Sequence, residues 1–359
     1  MILTIVLVLL VFSVLVIAHE WGHYKAARRN GVKVDEFGVG FPPRLWGRKS
    51  NGTLFSINTF PIGGFVRLKG EDGEAKGADS FASKSAWVKT KIVMAGVTMN
   101  LLIAYLLITF LLIVGMPPLL PSGLPSFGPI QPAPIGEAKL TVLAVTPNSA
   151  AARSGLKTAD QLVSVNGQML SSNQQLQDFT KSHGGQQITL VYKNSQGEHT
   201  ATATLGTDPN KGNLGVASDS LQLMRYSWWQ APVAAVVVVW QLVEATIGAF
   251  AGLIVGLFTQ AKVSEQVAGP IGIVSIFSQI IQFGWRYILV FVASISLSLA
   301  VINALPLPAL DGGRELLIIL RRVGVKITPA RENLVHVLGF AALIILLIVV
   351  SISDINRLR

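Results

Sequence analysis

His19, Glu20 and His23, in the run His19-Glu20-Trp21-Gly22-His23, are the residues of this chain best suited to do chemistry. On a helix the two imidazoles stand one turn apart on the same face, where both can ligate one Zn²⁺. The carboxylate beside them can then take a proton from the metal-bound water, which is the pattern of a metalloprotease site. Short motifs of this kind also occur in soluble helices that hold no metal. Here the run closes an apolar stretch that begins at Ile2. Ionisable residues in such a setting cost about 2.5 kcal/mol or more each on insertion, so a cluster of three argues for a role.

A two-histidine zinc site needs a third protein ligand and one position open to water. The chain has no cysteine, which excludes disulfides and thiolate ligands and leaves His, Asp or Glu. His183 and His199 lie in a segment of soluble character and read as surface residues, and His336 reads as an interfacial histidine opening the last apolar run. Asp311 is better placed, in Asn303-Ala304-Leu305-Pro306-Leu307-Pro308-Ala309-Leu310-Asp311-Gly312-Gly313. Its two prolines remove backbone donors and break the helix. Irregular backbone at membrane depth is tolerated only where it is buried in protein or lines a wet cavity. Taken alone, the segment suits a metal-ligating Asp311 and a helix-capping Asp311 equally.

The elements that must position these groups are mostly membrane helices. Hydrophobic residues make up 51% of the chain and charged residues 13%, with a mean hydropathy of +0.54. Residues 2–18, 92–115, 230–258, 287–305 and 336–352 are each long enough, or nearly so, to cross about 30 Å of hydrocarbon. The first run is expected to stay as a membrane helix, because no Lys or Arg precedes it and the His-Glu motif continues straight from it.

The net charge of +10 is concentrated, with 13 of the 29 Lys and Arg in residues 24–91. That distribution argues for a cytoplasmic loop and against nucleic acid. The first helix then runs outside to inside, carrying His19 and His23 toward the cytoplasmic face, and the second returns outward. A second basic loop, 312–335, with Arg314, Arg321, Arg322, Lys326 and Arg331, is expected to be cytoplasmic as well. Parity then favours 230–258 as a helix on or partly in the membrane, or a re-entrant hairpin, with Gln241 and Glu244 on its wet side. A fifth crossing is the alternative, and it would put residue 311 across the bilayer from His19.

Residues 139–205 change character. An alternating strand, a Pro-Asn turn, a helix opening near Ser149, a stop at Gly155 and a strand ending at Asn166-Gly167 are followed by two strands around an Asn-Ser-Gln-Gly turn. The arrangement resembles a PDZ domain, a module that offers an extended peptide a strand edge and a helix groove; a spacer that binds nothing is the competing reading. The seven prolines between residues 117 and 134 read as a stiff connector. The segments TLFSI and FVRLK in 53–70 read as a hairpin around Asn-Thr-Phe-Pro-Ile-Gly-Gly, either a plain cytoplasmic hairpin or one whose free edge, with Gly63 and Gly64, contacts an unwound substrate. Gly38, Gly40, Gly63 and Gly64 lack the context of a phosphate-binding loop.

The pairing of HEWGH with NALPLPALDGG resembles the site-2 protease family of intramembrane zinc metalloproteases. The match extends to the bacterial branch with an extracytoplasmic PDZ domain, of the regulator-of-sigma-E-protease type, through FGVGF at 37–41, FPIGGFV at 60–66, residues 96–100 and GPIG at 269–272. A single PDZ-like unit fits here, whereas some members carry two.

The resemblance implies that His19, His23 and Asp311 bind Zn²⁺, that Glu20 is the catalytic acid/base and that Asn303 helps hold the substrate. It implies a multi-pass protein of the bacterial inner membrane with its active site near the cytoplasmic side. The expected fold is a polytopic α-helical membrane protein with one extracytoplasmic PDZ-like α+β domain. Its parts are 1–116 with the first two membrane helices and the hairpin, the connector 117–136, the PDZ-like domain 137–208, 209–285 with a membrane-associated helix, and 286–359 with the last two membrane helices. The expected partners are transmembrane protein substrates and the lipid bilayer. A catalytically idle adaptor that binds peptides through its PDZ-like groove is the reading from another class, and it would need neither motif.

Overall fold

The computed structural model describes residues 2–71, 77–118, 123–194, 196–207, 214–260 and 267–358. In chain order its elements are α1 (Ile2–Arg29), β1 (Val34–Ser50), β2 (Thr53–Leu68), α2 (Ala86–Val114), β3 (Ala133–Val145), α3 (Ala150–Arg153), β4 (Gln161–Val165), β5 (Gln168–Met169), α4 (Asn173–Ser182), β6 (Gln187–Asn194), β7 (Gly197–Thr204) and β8 (Val216–Arg225). Then follow α5 (Ala231–Gln260), α6 (Pro270–Ile280), a 3₁₀ turn, α7 (Trp285–Ala304), α8 (Asp311–Arg322) and α9 (Pro329–Leu358). The chain forms two compact units, one of Met1–Ile108, Ala235–Ser278 and Phe291–Arg359, the other of Thr109–Ala234 and Gln279–Val290.

Among the described residues five helices are long and apolar enough to cross a membrane: Ile2–Arg29, Ala86–Val114, Ala231–Leu257, Trp285–Ala304 and Ala330–Arg357. They fall on the five apolar runs, and with the sheet domain they give the expected class of a polytopic α-helical protein with one α+β domain. Lipid supplies no hydrophobic drive between helices, so small residues and buried hydrogen bonds bring them together. A Cβ on Gly22 of α1 would collide with the Ala95 carbonyl of α2. The Ser296 hydroxyl on α7 donates to the Asn100 carbonyl on α2 at 2.8 Å, in a fully buried contact. Near the end of α9, Asp354 accepts from the backbone N–H groups of Gly269 (3.3 Å) and Gly272 (2.8 Å). A Cβ at either glycine would meet that carboxylate, which accounts for the GPIG run at the start of α6.

The basic segment after α1 folds differently from its expected hairpin. Asn51 and Gly52, both at positive φ (48° and 80°), make the turn, so β1 and β2 are the two arms. β2 bends, and residues 36–39 are flanked by 54–57 on one side and by 64–67 on the other. TLFSI and FVRLK therefore do not pair with each other; the strand between them comes from upstream, a long-range partner that local turn signals do not specify. Buried Glu36 accepts from the Ser56 hydroxyl at 2.7 Å, and the Asn58 amide donates to the Val39 and Gly40 carbonyls at 3.2 and 3.1 Å. Phe41, Leu45, Trp46, Ile57 and Phe60 stay exposed on the outer part of the sheet.

The second unit is built on a sheet of order β7-β6-β4-β3-β8, with β5 on β4. Leu140 and Val142 of β3 and Ile188 and Leu190 of β6 alternate inward and, with Leu162 and Val165 of β4, form its core with the two short helices. Ser149 caps α3 by accepting from the Ala152 N–H (3.1 Å), and Gly155 follows at φ +85°. Asn166-Gly167 turns the chain after β4, and β6 and β7 pair from Gln187↔Thr204 to Asn194↔Gly197. Ser195, in the expected turn between them, lies outside the described residues. The sheet runs beyond the expected 137–208: β8 pairs with β3 from Ala133↔Arg225 to Val145↔Val216. The Pro-rich connector is tied to the segment after β8, where Gln230 donates to the Pro129 carbonyl at 2.6 Å and the Tyr226 hydroxyl donates to that of Pro125.

On α5 the polar residues also depart from expectation. Glu244 is exposed and accepts from the Trp240 indole at 2.8 Å. Gln241 is not on a wet side: its Oε1 is buried and has no hydrogen-bond partner among the described residues.

Leu190 is fully buried, so Leu190→Ala should destabilise the sheet domain by about 2–5 kcal/mol. Limited proteolysis of the full chain under increasing urea should show cleavage within 133–225 at lower denaturant than in the parent.

Candidate metal centre

α1 continues as an unbroken helix through the His-Glu motif and sets His19 and His23 one turn apart on one face. Their Nε2 atoms lie 3.0 Å from each other. Asp311, the first residue of α8, brings its Oδ2 to 3.0 Å from His19 Nε2 and 3.2 Å from His23 Nε2. These three residues form the one His, Asp and Glu group, among the described residues, whose donor atoms are placed to hold a metal ion.

The donor set fits zinc. Tetrahedral Zn²⁺ with bonds of about 2.0–2.1 Å spaces its ligand atoms about 3.3 Å apart, close to the triangle seen here. Asp311 Oδ2 is buried and, despite its nearness to the imidazoles, has no partner in hydrogen-bond geometry. Three lone-pair atoms crowded together in a buried site call for a cation at their centre. The His23 ring is already oriented for this, since its Nδ1 lies 2.8 Å from the Ile92 carbonyl of α2. An Nδ1–H donated there leaves the Nε2 lone pair facing Asp311 and His19.

Glycines make the approach possible. A Cβ on Gly96 of α2 would run into the Nε2 atoms of both His19 and His23. Gly312 sits against the Ala304 and Leu305 carbonyls, and Gly313 against that of Leu307. The two glycines after Asp311 thus let the first turn of α8 fold back on the broken end of α7. Glu315, one turn further along α8, accepts from the Thr90 hydroxyl of α2 at 2.8 Å.

Glu20 opens with His23 and Asp311 onto a cavity of about 1020 Å³. Residues 65–68 of β2 and Glu71, Arg314 and His336 also line it. Arg314, on α8, is ion-paired with Glu71. A Cβ on Gly64 would stand 3.8 Å from Glu20 Cγ, so β2 passes directly beside the carboxylate. Gly63, at φ +76°, faces Val16 of α1 and Phe41 of β1. Asn303 is apart from this group in its contacts: its amide donates back to the Leu299 carbonyl of its own helix at 2.9 Å. His183 and His199 stay within the sheet domain, His183 stacked on Phe179 and His199 on Tyr192. Sequence reasoning missed Gly96 and Ile92 as parts of the centre. Gly96 was legible only as part of a motif, and the Ile92 contribution is a main-chain carbonyl that carries no side-chain signal.

A membrane helix carrying two imidazoles and a carboxylate, met by an aspartate from a second, broken helix, defines a membrane-embedded zinc metalloprotease. The chain belongs to Peptidase family M50, whose model matches residues 7–347. It is 28% identical over 449 aligned positions to the zinc metalloprotease RasP of Oceanobacillus iheyensis, covering 99% of each chain. It is 26% identical over 439 positions to the regulator of sigma-W protease RasP of Bacillus subtilis, again covering 99% of each. A Clostridium acetobutylicum relative is 30% identical over 354 positions, 98% of this chain and 97% of the relative. Among solved structures, the PDZ domain of an SdrC-like protein from Listeria monocytogenes is 22% identical, covering 23% of this chain and 90% of that one, with a TM-score of 0.21.

Gly96→Ala should displace both imidazoles and lower zinc affinity by about 10- to 100-fold. Zinc content of the purified protein after dialysis against a chelator measures this. An unchanged helical circular-dichroism spectrum should accompany the loss.

Proposed function

We propose that this chain is a zinc endopeptidase that cuts transmembrane segments of other membrane proteins, with His19, His23 and Asp311 as ligands and Glu20 as general base and acid. The observation that carries the reading is the convergence of the three donor atoms within 3.0–3.2 Å at the wall of a cavity that also holds Glu20. When bound, zinc makes water acidic enough to supply hydroxide near neutral pH and polarises the scissile carbonyl. Glu20 holds the proton taken from that water and returns it to the leaving amine. The Ile92 carbonyl keeps the His23 proton on Nδ1.

A substrate helix must open before its peptide bonds can be cut, because its carbonyls are already hydrogen-bonded. Residues 64–68 suit that task. They pair with β1 on one side, have no second strand among the described residues, and run past Glu20 along the cavity. An unwound substrate can add there as a strand, with Gly63 and Gly64 admitting its backbone beside the carboxylate. Asn303 would contribute by exchanging its bond to Leu299 for one to the substrate. The exposed aromatic and aliphatic side chains of β1 and β2 are suited to enter the membrane edge.

The active centre is read as facing the cytoplasm and the PDZ-like domain as extracytoplasmic, from the basic residues of 24–91 and 312–335. Helix contacts support a non-crossing α5. Tyr226, just before α5, donates its N–H to the Leu112 carbonyl, at the end of α2 farthest from Gly96. Past α5, Arg357 near the end of α9 donates to the Val267 carbonyl, far along that helix from His336. If α2 and α9 each cross once, both flanks of α5 lie on the face away from the metal centre. Exposed Trp228, Trp229 and Trp240 suit an interfacial helix.

The substrate class implied by the resemblance to the site-2 protease family is single-span membrane proteins, such as anti-sigma factors already trimmed outside, or remnant signal peptides. An adaptor that only binds peptides through the sheet domain would have no use for a cavity-facing Glu20.

Glu20→Gln should keep zinc and lower cleavage of a single-span model substrate in detergent by about 10²–10⁴-fold. Equal cleavage by both proteins would sink the assignment of Glu20, and a zinc-free parent that still binds peptides would favour the adaptor. The chain lacks cysteine, so Gln260→Cys and Val325→Cys can each be labelled alone. An impermeant thiol reagent should reach residue 260 in intact cells and residue 325 only after permeabilisation; labelling of 325 from outside would reverse the topology.

A further inference from the structure

We infer that His336 is a positioning residue for the metal centre, holding from α9 the left-handed residue Ala309 and thereby the place where Asp311 stands. The inference rests on Asp311 being a metal ligand. The loop between α7 and α8 is short and poor in donors, because Pro306 and Pro308 have none. Leu307 turns its N–H back to the Leu305 carbonyl at 2.7 Å, and Leu310 donates to Leu307 at 3.3 Å. Ala309, two residues before Asp311, has φ +70°, a conformation costly for any residue with a Cβ. Its N–H points out of the loop and donates to His336 Nδ1 at 3.1 Å.

One turn further along the same face of α9, Gly339 lies against Pro308, where a Cβ would collide with the proline ring and backbone. Among the described residues α9 offers no ligand to the centre, yet it grips the loop at two consecutive residues. The opposite side of the loop is held by Gly312 and Gly313 through close packing. The side-chain hydrogen bond that fixes the strained residue comes from α9. Its acceptor role demands a lone pair on Nδ1, which places the ring proton on Nε2.

His336 also borders the cavity with Glu20, His23 and Asp311, so a direct role through Nε2 is the competing explanation. Side-chain geometry separates the two. In His336→Asn the amide Oδ1 replaces Nδ1 as acceptor; in His336→Gln the Oε1 falls near the Nε2 position; His336→Leu offers no acceptor. The full-length zinc-loaded protein in detergent is compared for zinc retention against a chelator, for the visible spectrum of its Co²⁺-substituted form, and for kcat and KM on a single-span substrate.

His336→Leu should lose about 10- to 100-fold in zinc affinity, shift the Co²⁺ spectrum and lower kcat at unchanged KM. His336→Asn should restore all three and His336→Gln none. Gly339→Ala, with His336 intact, should reproduce the His336→Leu spectrum, and it carries the test if His336→Leu does not fold. Parental zinc affinity and spectrum in both His336→Leu and Gly339→Ala would overturn the inference, as would rescue by Gln rather than Asn. Asp311→Ala, which removes the oxygen donor, serves as the control. Zinc kept in that variant means the ligand reading itself is wrong, whereas zinc lost there but kept in His336→Leu and Gly339→Ala removes the positioning role alone.

Discussion

Everything at the metal centre depends on how closely α2 approaches α1. Two imidazoles on a membrane-facing helix are a liability in lipid, and they become useful only when a second helix covers them without displacing them. Gly22 lets the helices meet at the Ala95 carbonyl, and Gly96 leaves the space that the two Nε2 atoms occupy. The same approach brings the Ile92 carbonyl within 2.8 Å of His23 Nδ1. Close packing and ligand orientation are therefore one event. A bulkier α2 would disturb the contact between helices and the tautomer of His23 together, which is why small residues matter more here than apolar area.

The third donor is brought in by the opposite device, a helix that stops. A continuous α7 would carry its carbonyls in hydrogen bonds and its side chains past the centre. The prolines at 306 and 308 end it, and Gly312 and Gly313 allow α8 to restart in close contact with the carbonyls of Ala304, Leu305 and Leu307. Asp311 sits at that restart, with Leu310 extended before it as N-cap (φ −106°, ψ 167°). The choice between a capping and a ligating aspartate, open from the segment alone, turns on geometry. Its Oδ2 lies 3.0 and 3.2 Å from the two imidazoles, beyond the reach of any local pattern.

How much of this was legible follows from the range of the interactions involved. HEWGH and its helix were readable because ligand spacing, apolar run and helical period coincide within about one turn of sequence. The sheet domain was readable up to β7 because Ser149, Gly155 and Asn166-Gly167 are local cap and turn signals. β8 was not, since Val216–Arg225 alternates weakly and finds its partner 71 to 92 residues upstream in β3, from Val145↔Val216 to Ala133↔Arg225. The β1–β2 sheet was misread for the same reason, with two segments of β2 separated by a strand that precedes both. Gln241 was placed on a wet face from its polarity alone, and tertiary packing buried its carbonyl. His336 looked unremarkable because its contact is with a backbone N–H, whose need for a partner appears only once Ala309 is left-handed.

The side of residues 64–68 away from β1 has no strand partner among the described residues, only the Leu68 N–H donating to Glu71 Oε2 at 3.3 Å, and that has a cost that bears on the proposed function. An exposed strand edge beside apolar surface invites association with any extended segment. The partly exposed residues 65 and 66 and the exposed Arg67 lie along a cavity whose other wall carries Arg314 and Glu71 in an ion pair. A transmembrane helix offers no free backbone to such an edge until it unwinds, and an unwound segment in lipid has nowhere else to satisfy its N–H and C=O groups. On the proposed reading, such an edge would discriminate by conformation before any side chain is read. Helices that resist unwinding would stay bonded to themselves, and those that open would gain backbone partners next to Glu20. Selection among membrane proteins would then follow the local stability of the substrate helix more than the residues at the cut.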